Sequence, residues 1–108
     1  MKIRFYETKN GQLPVKRYLD QLPCVEAANI GATLEEVAQH GPMASAANAR
    51  HIRGKLWEFR SGQHRLFYTI TGDNVAYLLH AYKKQTQRAP KREIGIALRR
   101  LARLGNDE

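Results

Sequence analysis

Cations and aromatic rings interleave in two stretches of the second half of the chain, LWEFRSGQHRLFYTI (56–70) and HAYKKQTQRAPKREIGIALRRLAR (80–103). Guanidinium and ammonium groups hold phosphates and neighbouring rings stack on bases, so this mixture suits a flexible polyanion such as RNA. Residues 50–108 carry 13 Lys+Arg against five Asp+Glu, while residues 1–49 carry five of each, so the formal net charge of +8 sits on one half. The sharpest pair is Arg60 and Arg65, on either side of Ser61-Gly62-Gln63. Period-two alternation puts Trp57 and Phe59 on one strand face and Leu56, Glu58 and Arg60 on the other; next, Leu66, Tyr68 and Ile70 oppose Arg65, Phe67 and Thr69. With the aromatic set buried under helices, Arg60 and Arg65 emerge together in solvent as a phosphate clamp. The following strand adds Lys83 on the side of Leu79 and Ala81, with His80 and Tyr82 on the alternate side. Which side joins the clamp depends on strand register.

Each of these residues also has a plainer role. Arg60 and Arg65 suit solvated positions beside a turn, His80 suits a hydrogen-bonded place in an apolar strand, and Tyr68 and Trp57 suit the core. His51 and Arg53, beside Gly54 and Lys55, would extend a nucleic-acid groove. A stripe of Arg92, Arg99 and Arg103 fits an RNA contact, a protein contact or a solvated helix face.

These side chains need a scaffold, and the pattern predicts β-α-α-β-β-β-α in one α+β domain spanning 1–108. Ile3 and Phe5 alternate with Lys2 and Arg4 in a first strand that ends before Asn10-Gly11. Pro14 suits the first turn of a helix whose Val15, Tyr18, Leu19 and Leu22 form a stripe. Pro23 opens a second helix, with Ala27, Ile30, Leu34 and Val37 inward, Glu26, Glu35 and Glu36 elsewhere, and a stop at His40-Gly41-Pro42. The two form a helical hairpin. Strand-like runs follow at Arg50–Arg60, His64–Thr71 and Val75–Lys83, joined by short turns at Ser61-Gly62-Gln63 and Gly72-Asp73-Asn74, so that the sheet is mainly antiparallel. Pro90 starts a basic C-terminal helix that turns Ile94, Ala97 or Leu98, Leu101 and Leu104 inward. All helices are expected on one side of a twisted sheet.

At 108 residues the chain is long enough to bury a core without disulfides. Cys24 is the single cysteine, and MKIRFYETKNG has no apolar stretch suited to a signal or span, so a reducing cytoplasm is the expected location. Histidines at 40, 51, 64 and 80 lack paired ligand spacing with Cys24, and no phosphate loop or nucleophile elbow is present. No metal and no cofactor are expected.

The run Leu56-Trp57-Glu58-Phe59-Arg60, then Arg65-Leu66-Phe67-Tyr68, then Leu78 to Gln87 (LLHAYKKQTQ) and Ala89-Pro90-Lys91-Arg92-Glu93-Ile94 resembles the RelE/HigB group of bacterial toxins. Within the RelE/ParE superfamily it is most similar to the phage-derived HigB-like branch. The similarity covers most of residues 50–104, with a weaker echo in Tyr18-Leu19-Asp20-Gln21-Leu22-Pro23. It implies a RelE-like fold and a type II toxin-antitoxin module. The toxin of such a module cleaves mRNA, commonly in the ribosomal A site, and a co-expressed helix-turn-helix antitoxin neutralises it.

The implied chemistry is metal-independent: a 2′-hydroxyl attacks the phosphate, a base takes its proton, cations neutralise the growing charge, and an acid protonates the leaving 5′-oxygen. Arg60 and Arg65 match functional arginine positions of the family, and Lys83, or its neighbour Lys84, matches the basic end of the third strand. His80, Tyr82 and His64 are candidates for proton transfer or base stacking. RNA contacts would come from His51, Arg53, Lys55, His64, Lys84, Arg88, Lys91 and Arg92. The chain lacks a match for every acid and base used by the best-studied relatives, which leaves the general base unassigned. The alternative on the same fold is a ParE-like gyrase inhibitor, or a phage protein that only binds nucleic acid or an antitoxin.

Overall fold

The computed structural model describes residues 1–44, 48–86 and 90–106. Along the chain run β1 (Lys2–Phe5), α1 (Pro14–Asp20), α2 (Cys24–His40), β2 (Arg50–Arg53), β3 (Leu56–Ser61), β4 (His64–Thr71), β5 (Val75–Lys83) and α3 (Lys91–Asn106). The strands form one sheet in the order β1-β5-β4-β3-β2. β2 to β5 are an antiparallel meander, and β1 lies parallel to β5 at one edge.

One expected strand is two. The run Arg50–Arg60 breaks at Gly54-Lys55, where Gly54 has a φ of +56°, a left-handed conformation that a side chain disfavours. Gly62, at +58°, does the same in the β3–β4 turn. β2 therefore folds back on β3 as a short edge strand.

The helices are also distributed differently from the one-sided expectation. α1 and α2 cover one face of the sheet, where Val15, Ile30 and Val37 pack on Phe59, Leu66, Tyr68 and Leu78. α3 covers the other, where Ala97, Ile94, Leu98 and Leu101 pack on Leu56, Phe67 and Leu79. The physical reason is in the strands: each alternates between two apolar sets, and burying one alone would leave Leu56, Phe67 and Leu79 in water. Each such side chain gains roughly 1.5–3 kcal/mol on full burial.

A bulge in β5 completes the arrangement. Phe67 pairs with His80 but Tyr68 pairs with Leu78, so Leu79 is an extra residue in the ladder. Strict alternation would keep Leu79 and Ala81 on one side. The bulge instead sends Leu79 into the α3 core and Ala81 into the α1–α2 core.

Candidate nucleic-acid interface

The register resolves which strand residues share a face. Arg60 and Arg65 are direct cross-strand partners, and Arg65 is flanked on its other side by Tyr82 of β5. Opposed residues project to the same face, so Arg60, Arg65 and Tyr82 form a row across three strands on the α3 side, at the β3–β4 turn. Lys84 continues it: its amide donates to the Gln63 carbonyl at 2.8 Å. Gln63, Arg65, Lys84, Gln85 and Thr86 line a shallow cleft beside that turn.

The two arginines are not equivalent. Arg60 is exposed, whereas Arg65 is only 9% exposed, which corrects the expectation that both stand free in solvent. One terminal nitrogen of Arg65 donates to the carbonyls of Gly62 at 2.8 Å and His64 at 3.1 Å, and its Nε lies 4.0 Å from Glu58 Oε1. Glu58 is itself buried, and Arg50 Nε of the edge strand sits 3.9 Å from the same oxygen. Both Glu58 and Arg60 were legible as lying on this face. Arg50 was not, because its position opposite Glu58 follows from the unrecognised β2–β3 hairpin. The result is an oriented guanidinium in the wall of the cleft and an exposed one directly across from it on β3.

Tyr82 is constrained to one chemical role. Burial, helped by the Glu58 charge, pushes its phenol up to about 12, so it keeps its proton near neutrality and can donate but not accept one. His80 lies on the same face, braced between β5 and α3. Its Nε2 meets the Glu93 carboxylate, and its Nδ1 lies 3.3 Å from an Arg100 nitrogen. Burial lowers its pKa, with Glu93 offsetting part of that effect, and the neutral ring accepts from Arg100 while donating to Glu93. Arg100 also donates to the Leu79 carbonyl at 2.8 Å and lies 5.7 Å from the centre of the Tyr6 ring. These contacts anchor the first turns of α3, and with them the exposed Lys91 and Arg92, at the end of the sheet that holds Tyr82.

Other expected residues fall elsewhere. Lys83 pairs with His64, whose ring faces α1 and α2, so the register separates Lys83 from the arginines and leaves Lys84 in that place. His64 is no surface contact: it is 4% exposed, with Nδ1 2.6 Å from the Tyr18 hydroxyl and Nε2 2.7 Å from Glu26 Oε1. His51 turns to the α1–α2 side against Trp57, with its Nε2 2.8 Å from the Gly54 carbonyl. Arg53 and Lys55 are exposed at the β2–β3 turn, and five residues of strand put Lys55 roughly 17 Å along the sheet from Arg60. They do not join the cleft. Arg88 lies outside the described residues. Among the described residues no group of His, Cys, Asp and Glu is placed to hold a metal ion, and no helix is long and apolar enough to cross a membrane.

This α+β architecture is of the RelE kind. Its backbone is similar to a chain of the crystal structure of the archaeal RelE-RelB complex from Pyrococcus horikoshii OT3, with a TM-score of 0.61, 20% identity, and coverage of 82% of this chain and 100% of that one. The family model described as Phage derived protein Gp49-like (DUF891) matches residues 17–102, and the chain belongs to that family. No curated protein matches the sequence.

Proposed function

We propose that the protein is the toxin of a type II toxin-antitoxin pair and that it cleaves mRNA on the ribosome without a metal. The observation that carries this reading is the row Arg60–Arg65–Tyr82, whose central Arg65 lines a cleft with Lys84. Arg65, oriented by the turn carbonyls and Glu58, meets the scissile phosphate in a fixed geometry; Arg60 and Lys84 add charge from the rim. Tyr82, protonated throughout the neutral range, donates to a phosphate oxygen or to the leaving 5′-oxygen. The resemblance to the HigB-like branch and the RelE-like fold support the same reading, and a small antitoxin is the partner that fits it. The protein acts in the cytoplasm as a single domain.

Inducing the protein in cells, while mapping mRNA 5′ ends and plasmid supercoiling, tests this. New 5′-hydroxyl ends within codons are expected. Intact mRNA with gyrase-linked DNA breaks would replace the nuclease with a ParE-like inhibitor. In single-turnover cleavage on programmed ribosomes, Arg65→Lys is expected to lose on the order of a hundredfold, because a lysine keeps the charge but not the two-pronged geometry.

A further inference from the structure

A second cleft lies at the other side of β5. β1 pairs with β5 only from Val75 to Leu78, and beyond that point α1 and α3 flank the strand. The cleft between them is lined by Gln12, Arg17, Tyr18, Gln21, His80 and Arg100. Its charged groups are the guanidiniums of Arg17 and Arg100, and the amides of Gln12 and Gln21 beside them can donate or accept. Arg17 is exposed and, among the described residues, has no ion-pair partner. Arg100 commits one nitrogen to the Leu79 carbonyl and the His80 ring, which fixes the direction of its guanidinium. Such a lining takes an anion.

One group in this wall is an oriented acceptor. His64 joins Tyr18 of α1 to Glu26 of α2 through contacts of 2.6 and 2.7 Å, and is 4% exposed, so both ring nitrogens are committed. In the tautomer that donates Nε2–H to the Glu26 carboxylate, Nδ1 carries a lone pair and accepts the hydrogen of the Tyr18 hydroxyl. The phenol's proton is retained, since burial and the Glu26 charge both push the Tyr18 pKa up. With its hydrogen directed at His64, the Tyr18 oxygen has only lone pairs left for a ligand.

An anion seat beside an acceptor fits a phosphate next to a hydroxyl. We propose that this cleft seats one nucleotide of an RNA strand, with Arg17 and Arg100 on the phosphate and the Tyr18 oxygen accepting from the ribose 2′-hydroxyl, so that the Glu26–His64–Tyr18 chain selects RNA over DNA. The seat is separate from the Arg60–Arg65–Tyr82 row, and it rests on the reading of RNA as the substrate class.

The test uses adenosine 3′-monophosphate and its 2′-deoxy counterpart, titrated into the whole protein and followed by amide chemical shifts. Shifts are expected at Arg17, Tyr18 and Ala81, with the ribonucleotide bound several-fold more tightly, as one hydrogen bond allows. Tyr18→Phe is expected to equalise the two affinities, with a melting curve to show that it folds. Arg17→Glu, at an exposed position, should weaken both ligands alike. Equal affinity in the wild type, shifts confined to the β3–β4 turn, or a preference that survives in a folded Tyr18→Phe would each overturn the seat. A ribose-selective cleft in a protein that leaves mRNA intact would keep the seat and remove the nuclease; cleaved mRNA with no response in the cleft would do the reverse.

Discussion

The two faces of the sheet are built from the same alternating strands but solve burial differently. Under α1 and α2 the face is closed by hydrocarbon and rings, Phe59 stacking on Tyr68 with centroids 3.7 Å apart, and the Glu26–His64–Tyr18 chain is a polar insertion in it. Under α3 the apolar patch of Leu56, Phe67 and Leu79 is bordered by charge: Arg50, Glu58 and Arg65 towards the β3–β4 turn, and His80, Glu93 and Arg100 along the helix. The first face is where removing atoms costs most in stability. The second holds ionic groups whose value lies in orientation, since a buried ion pair recovers little more than its own desolvation.

Phe59→Ala breaks the comparison hardest. The side chain is fully buried and stacked, so truncation should cost about 3–5 kcal/mol, read as a drop in the denaturation midpoint at unchanged slope. A cost below about 1 kcal/mol would mean that the α1–α2 face is not the main core.

On the α3 face, Arg65→Ala should cost about 1–3 kcal/mol, because it strips the buried Glu58 of one of its two cations and leaves Arg50 beside it. Activity should fall much further than stability. If Arg65→Ala melts like the wild type, the guanidinium is less tied to the turn than its contacts indicate.

The titration of His80 gives a smaller, pH-dependent effect. Its pKa is depressed in the fold by burial, so the unfolded chain binds a proton more readily. The stability it contributes is present above the ordinary histidine pKa and is lost as pH falls through that value and through the folded one. Between pH 7.5 and 5 the wild type should therefore lose more thermal stability than His80→Gln, in parallel melts. Equal slopes would place the pH sensitivity elsewhere.

The smallest expected change is at the rim. Arg60→Ala should leave stability within about 0.5 kcal/mol, since the residue is exposed, while weakening RNA binding and flattening its salt dependence. An RNA affinity and salt slope equal to wild type would take Arg60 out of the interface.

Much of the architecture was legible because it rests on local sterics. Pro14, Pro23 and Pro90 mark the helix starts, the turns around Gly62 and Asn74 set the hairpins, and period-two alternation assigned Phe59, Leu66 and Tyr68 to one face and Glu58, Arg60 and Arg65 to the other. Gly54-Lys55 is a turn signal too, but the run Arg50–Arg60 reads as a single strand along the sequence. Of the candidate site, the Arg60–Arg65 pair followed from alternation and turn length alone.

What the tertiary structure decided lies at longer range. The β5 bulge reassigned the faces around His80 and left Lys83 opposite His64, a shift that no periodicity announces because it arises from fitting β5 to β4. Arg65 is buried because Glu58 and the turn carbonyls converge on it, and Arg50 reaches that carboxylate only through the β2 register. His64 meets partners 46 and 38 residues away, and His80 is held by two residues of α3. Propensity and alternation act over a few bonds and so are written along the chain; the environment of a buried polar group is set by whatever packs against it, and that exists only once the elements have assembled.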